Sequence, residues 1–213
     1  MSGLESLRHI LARLLAVWRT RGPLEFATFV LTRIVLRRED LIFECSLGEI
    51  QGAPFVLPER GRFVIVDGAG IALPEHASVV AQVLQGENGV HVSGLLDGDL
   101  MLAHVGDTGV VDNYAFVLFR TGYKRFLGLE DAVPLIGNCN TLAEARGRGL
   151  YPLMLRYICC VLAGRGYGRV VITCAPSNKA SIRGIEKAGF EFVSHLTCWI
   201  VLSRVVVWRG GAK

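Results

Sequence analysis

Apolar residues recur at helical spacing over residues 3–20. Leu4, Leu7, Leu11, Leu14, Leu15 and Trp18 share one face, with Arg8 and Arg19 flanking it and Arg13 opposite. Gly22-Pro23 ends that pattern, and a second helical stretch runs from Leu24 to Arg37. Strand-like runs follow at Leu41 to Ser46 and Arg62 to Val66. Leu73 to Leu84 predicts a helix with Pro74 in its first turn. Val90 to Leu96 and Leu100 to His104 flank Asp97-Gly98 and predict a hairpin. Tyr114 to Arg120 is a further strand, and Ala132 to Asn138, entered after Asp131, a central one. Beyond a Gly/Arg loop at Arg146 to Gly149, the pattern predicts a helix over Tyr151 to Leu162, with Pro152 tolerated at its start. A buried strand over Arg169 to Cys174 comes next, then a helix from Asn178 to Ala188 closed by Gly189. A long strand or strand pair spans Phe190 to Val207. This order predicts a mixed α/β body over residues 39–213 with at least one right-handed crossover, preceded by a helical extension over residues 1–38.

Composition narrows the class. Half of the 213 residues are hydrophobic, yet no uninterrupted apolar run reaches the roughly 18 residues of a membrane span, and Arg33 cuts the stretch from Phe26 to Leu36. Arg8 and Arg13 interrupt the first apolar stretch, which lacks a secretory cleavage pattern, so a cytoplasmic address is expected. The net charge is +4, and residues 1–40 carry seven Arg against four acids. The nearly neutral remainder excludes a general nucleic-acid surface. The basic extension reads either as the solvated face of a packed helix or as a peripheral contact with an anionic membrane face or an acidic protein partner. Oligomerisation stays open. The six cysteines form no C-x-x-C pair and no zinc spacing, so they are expected to be reduced and mostly buried, with no metal site.

The chemistry concentrates after the central strand. Arg146-Gly147-Arg148-Gly149-Leu150-Tyr151 enters a helix directly. A helix N-terminus presents unpaired N–H groups and partial positive charge, glycines let a ligand approach the backbone, and arginines add charge-assisted hydrogen bonds. The hexapeptide reads as a pyrophosphate cradle or as a loop with a glycine-permitted turn. It is neither a P-loop nor a dinucleotide fingerprint, which would place Gly where Pro152 stands.

A second block, Ser177-Asn178-Lys179-Ala180-Ser181, precedes a helix ending Glu186-Lys187-Ala188-Gly189-Phe190. Together ARGRGLYPLML and APSNKASIRGIEKAGF resemble the GNAT superfamily of N-acetyltransferases over residues 132–195. RGRGLYP and SNKASIRGIEKAGF are most similar to members associated with bacterial surface-polysaccharide biosynthesis. The resemblance implies a GNAT fold, with a central mixed, mostly antiparallel sheet flanked by helices. It implies acetyl-CoA or another acyl-CoA as co-substrate and no metal. Backbone amides of Arg148, Gly149, Leu150 and Tyr151, with Arg146 and Gly147, would hold the pyrophosphate. Asn140, Thr141 and Leu142 would pair with the pantetheine arm, where the strand splays from Arg169–Cys174. Asn178 and Ser181 would complete the site, Asn178 either binding pantetheine or capping its helix.

Two residues depart from that pattern. Tyr151 stands where the motif ends on a small residue, which puts cofactor preference in question. Ile185 stands where many members carry a Tyr that protonates the leaving thiolate. The implied activity is acyl transfer, most simply of acetyl, to an amine of a small molecule such as an amino sugar or sugar nucleotide. The amine attacks the thioester directly, and Glu144 and His104 are the foremost candidate bases, ahead of Asp112, Tyr114, Cys139 and His195. Two alternatives are a non-catalytic CoA-binding or scaffold module held to a membrane or partner through residues 1–38, and a transferase using a longer acyl chain or an acyl-carrier protein.

Overall fold

The computed structural model of the chain describes residues 35–48, 58, 60–86, 88–201 and 204–210. The helix expected over residues 3–20 and most of the second helical stretch lie outside the described residues. The strands are β1 (Val35–Ser46), β2 (Arg62–Val66), β3 (Leu100–Val105), β4 (Val111–Leu118), β5 (Leu135–Thr141), β6 (Arg169–Cys174), β7 (Glu191–Val201) and β8 (Arg204–Gly210). The helices are α1 (Pro74–Leu84), α2 (Tyr123–Leu127), α3 (Leu150–Gly164) and α4 (Lys179–Lys187). The chain divides into two compact units, one of residues 40–195 with the last three residues, and one of residues 1–39 with 196–210. Among the described residues the second unit holds the first part of β1, the last part of β7 and β8, with β7 and β8 adjacent.

In the larger unit the strands lie in the order β2-β3-β4-β5-β6-β1-β7. Pairing from β2 through β5 is antiparallel, β5–β6 is parallel, and β6–β1 is antiparallel. β3 is buried along its whole length and splits its side chains between two cores. Leu100 and Leu102 join Met154, Leu155 and Ile158 of α3, while Met101 and Ala103 join Val79 and Val83 of α1. This two-sided burial follows from strand alternation in a sheet covered by helices on both faces.

Two expectations are corrected. Val35 to Arg37 are strand, not the end of a helix. The pairing of Leu41–Ser46 with β6 carries extended backbone back along β1, and tertiary pairing outweighs weak local propensity. The hairpin around Asp97-Gly98 does not form, because Gly89–Asp97 is a 3₁₀ helix. Val92 and Leu95, three apart, are buried in the α1-side core, while Val90 and Leu96 are 73% and 70% exposed. Three-residue spacing suits 3₁₀ geometry, not a strand. Gly98, with φ 98°, closes this segment instead of turning a hairpin. β3 finds its neighbours in β2 and β4.

Candidate active site

The site begins with a fault in β5. Tyr114 of β4 pairs with Asn140 and Phe116 pairs with Gly137, so Ala115 faces both Asn138 and Cys139. This is a β-bulge, and Asn138 takes its left-handed conformation (φ 52°), which Asn tolerates better than most residues. On the other side, β5 pairs with β6 only through Leu135–Val171 and Ile136–Ile172. Beyond Ile136 the two parallel strands are no longer paired, and a cleft of about 590 Å³ lies against the end of β5. Its walls are Cys139, Asn140 and Thr141 of β5, the loop and first turn of α3, and one face of α4.

The loop owes its shape to two glycines. Gly147 (φ 78°) and Gly149 (φ 75°) are both left-handed, where side chains are strained. A Cβ built on either would meet nothing within 4 Å, so the loop's outer surface is open. Gly149 is the N-cap of α3; among the described residues no side chain caps that terminus, and no acid occupies its first turn. Leu153 N–H reaches Gly149 O at 3.3 Å, Pro152 has no N–H, and the N–H groups of Leu150 and Tyr151 are left without helical partners. Arg146 is tied to the end of β5 by Nε donating to Thr141 O at 3.1 Å.

Helix α4 forms the facing wall. Asn178 caps it, its Oδ1 accepting from Ser181 N at 3.0 Å, and Asn178 Nδ2 has no protein partner among the described residues. Ala180, Arg183, Gly184 and Lys187 line the cleft at one-face helical spacing. Among the described residues the cationic side chains lining the cleft are Arg146, Arg183 and Lys187, and no carboxylate does so. An uncapped helix N-terminus, an open glycine loop and a cationic, acid-free lining fit a polyphosphate ligand.

Tyr151 lines this cleft and packs against the α3-side core. Its ring lies against Gly184, where an added Cβ would come within 2.4 Å of Tyr151 Cδ1. Its hydroxyl is 3.0 Å from Ser181 Oγ and beside the Cys139 thiol. Burial holds the phenol's pKa well above its usual value, and burial pushes the Cys139 thiol up to about 12. Cys139 is therefore a neutral thiol at physiological pH.

Of the residues singled out from sequence, Asn140, Thr141, Arg146, Gly147, Gly149, Leu150, Tyr151, Asn178 and Ser181 come together in the cleft. Arg148 is exposed on the loop and does not line it. Nor does Leu142, whose N–H donates to Asp112 O at 2.9 Å. Glu144 is exposed in the 3₁₀ turn Ala143–Ala145 ahead of the loop, outside the lining. His104 is only 3% exposed. Its Nδ1 is 3.5 Å from Asp112 Oδ2, its Nε2 is 3.2 Å from Arg60 O, and its ring meets Phe63 edge-on. Neither candidate base touches the cleft. Ile185 is 0% exposed and packs in the α3-side core. Sequence reasoning missed Arg183, Gly184 and Lys187, which the i, i+1, i+4 pattern on a polar helix face could have revealed.

No protein-family model and no curated protein matches the sequence. Solved structures do. A Drosophila protein matches with TM-score 0.54 and 16% identity over 84% of this chain and 58% of its own. A tandem GNAT protein from the clavulanic acid biosynthesis pathway matches with TM-score 0.52 and 17% identity over 88% and 59%. A GNAT-family acetyltransferase from Colwellia psychrerythraea matches with TM-score 0.50 and 12% identity over 89% and 62%. The match thus spans about three-fifths of the length of each of these proteins. At these identities the likeness is one of fold, and the chain has the GNAT fold. Among the described residues no helix is long and apolar enough to cross a membrane.

Proposed function

We propose that this chain is an acyl-CoA-dependent N-acyltransferase, moving acetyl from acetyl-CoA to an amine of a small molecule such as an amino sugar. The observation that carries this reading is the cleft itself. A phosphate-fitting, uncapped helix N-terminus stands beside a strand edge released by its parallel neighbour. On this reading the backbone N–H groups from Arg148 to Tyr151 hold the pyrophosphate, and Arg146, Arg183 and Lys187 balance its charge. The freed edge of β5 at Cys139–Thr141 pairs with the pantetheine arm like an added strand. Asn178 Nδ2 donates to an amide carbonyl of that arm. The amine then attacks the thioester carbonyl directly. Of the two candidate bases only Glu144 is open to solvent and able to pass a proton to it, since His104 is enclosed. Residues 1–38, with seven Arg against Glu5 and Glu25, serve as the contact for an anionic membrane face or an acidic partner.

The test is release of free CoA from acetyl-CoA on adding a panel of amino sugars, followed with a thiol-reactive dye. Amine-dependent release supports the reading. Acetyl-CoA binding with no release across the panel favours the second reading, a CoA-binding module without turnover. The buried, apolar Ile185 favours that alternative, because it supplies no acid.

A further inference from the structure

β4 and β5 meet at a polar pair beside the cleft. Asn113 of β4 lies directly opposite Thr141 of β5, and directly opposite residues of an antiparallel pair share a face. Strand alternation puts Asn113 on the α3 side of the sheet with Ala115 and Val117. Asn113 is 0% exposed, and its Nδ2 donates to Asn140 O at 2.9 Å and to Thr141 Oγ1 at 2.7 Å. Its Oδ1 is buried with no hydrogen-bond partner among the described residues. An apolar side chain would avoid that cost, so what the asparagine supplies here is its pair of N–H bonds to the end of β5.

The direction of these bonds is fixed. Asn140 O is a carbonyl and can only accept, so the amide nitrogen of Asn113 is the atom that faces β5. Both hydrogens of Nδ2 are then used, one on Asn140 O and one on Thr141 Oγ1. Thr141 Oγ1 accepts, and its own hydrogen points away from Asn113. Among the described residues no protein acceptor takes that hydrogen, and Thr141 lines the cleft. The Thr141 carbonyl accepts from Arg146 Nε at 3.1 Å, so the hydroxyl stands where β5 meets the head of the glycine loop.

We propose that the Thr141 hydroxyl donates a hydrogen bond to an oxygen of the bound acyl donor, and that Asn113 is the positioning residue that makes it a donor. The inference rests on the acyltransfer reading and adds a side-chain contact to the backbone pairing at Cys139–Thr141. Asn113 is fully buried and does not itself meet the ligand. It acts through the polarity it imposes on its neighbour. With Nδ2 held against Oγ1, the hydroxyl is aimed before the donor arrives, and less freedom is lost on binding. A threonine without that partner could turn its hydrogen inward to Asn140 O and offer the ligand only lone pairs.

The experiment needs no acceptor. Affinity for CoA is measured by calorimetry for wild type, Thr141→Val, Thr141→Ser, Asn113→Ala and the double variant Asn113→Ala/Thr141→Val. Thr141→Val should bind about three- to tenfold more weakly, the effect of one hydrogen bond. Thr141→Ser keeps the hydroxyl and should bind within about twofold of wild type. Asn113→Ala should lose affinity when Thr141 is present and lose no more once Thr141 is valine. Asn113→Leu, closer to asparagine in volume, repeats the cycle if the alanine variant does not fold. Wild-type affinity in Thr141→Val, or no recovery in Thr141→Ser, would overturn the assignment while leaving the acyl-donor cleft intact. Equal losses from the Asn113 substitution in both backgrounds would do the same, showing that Asn113 serves the fold and not the hydroxyl. Failure of wild type to bind CoA would overturn the acyl-donor reading itself.

Discussion

Replacing Gly149 with Glu and, separately, with Lys separates the backbone role of the position from its electrostatic one. Gly149 holds φ 75°, so any side chain there costs about 1–2 kcal/mol of stability from the left-handed backbone. There is no steric addition, because a Cβ meets nothing within 4 Å. That cost is common to both variants. They then diverge at the uncapped N-terminus of α3. A carboxylate there returns about 0.3–1 kcal/mol through the helix dipole and an ammonium forfeits a similar amount. Gly149→Glu should therefore unfold at the higher temperature of the two. Ligand affinity should rank them the other way. A carboxylate about 5 Å from a phosphate costs about 1–3 kcal/mol per phosphate charge at effective dielectric constants between water and a protein surface. Gly149→Glu should bind acetyl-CoA at least about tenfold more weakly than Gly149→Lys. Thermal unfolding and calorimetric titration at low ionic strength read the two orders. If the glutamate variant bound as well as the lysine variant, no anion would sit at this terminus and the cradle would be misassigned.

Other substitutions test single links. Asn178→Ala should cost about 1 kcal/mol of stability through the lost cap and weaken acetyl-CoA binding. Asn178→Asp keeps the acceptor for Ser181 N but removes Nδ2, so it should stay near wild-type stability and still bind more weakly. Gly184→Ala drives a methyl into the Tyr151 ring and should cost about 1–3 kcal/mol. That cost should largely vanish in a Tyr151→Ala background, and thermal unfolding of the four proteins measures the coupling. Cys139 has its pKa raised from an ordinary 9.0 to about 12 by burial. The protonated thiol is thus the favoured folded form, and its stabilising contribution is complete below pH 9.0 and lost as pH rises toward about 12. Alkylation of Cys139, followed by peptide mass mapping, should accordingly show no inflection between pH 7 and about 10.

Most elements were legible where one local rule acted alone. Arg169–Cys174 matched its strand residue for residue, and Pro74 opened α1 because a first turn needs no N–H there. Asn178 and Gly189 bracketed α4 as cap and left-handed stop. The misreadings arose where another part of the chain decided the outcome. Val90–Leu96 carries enough β-branched character to look extended, and packing against α1 made it 3₁₀. The insertion of β1 between β6 and β7 is a pairing of distant segments that no local pattern encodes. At the site, the cradle was readable because its glycines and arginines are contiguous. The bulge at Asn138 was not, since Ile-Gly-Asn-Cys-Asn resembles any strand until its register against Tyr114 and Phe116 is known. The fit between Tyr151 and Gly184 was also hidden, for two residues 33 positions apart show their shape match only when α3 and α4 face each other.

The proposed acyltransferase chemistry depends first on whether the cleft takes acetyl-CoA. Calorimetry on the purified chain, with dephospho-CoA and Gly149→Glu as comparators, should show saturable binding at one site that the glutamate variant weakens. A folded wild-type protein that takes up no acetyl-CoA at about millimolar concentration, a weak threshold for any specific site, would contradict it and leave the fold without its proposed chemistry.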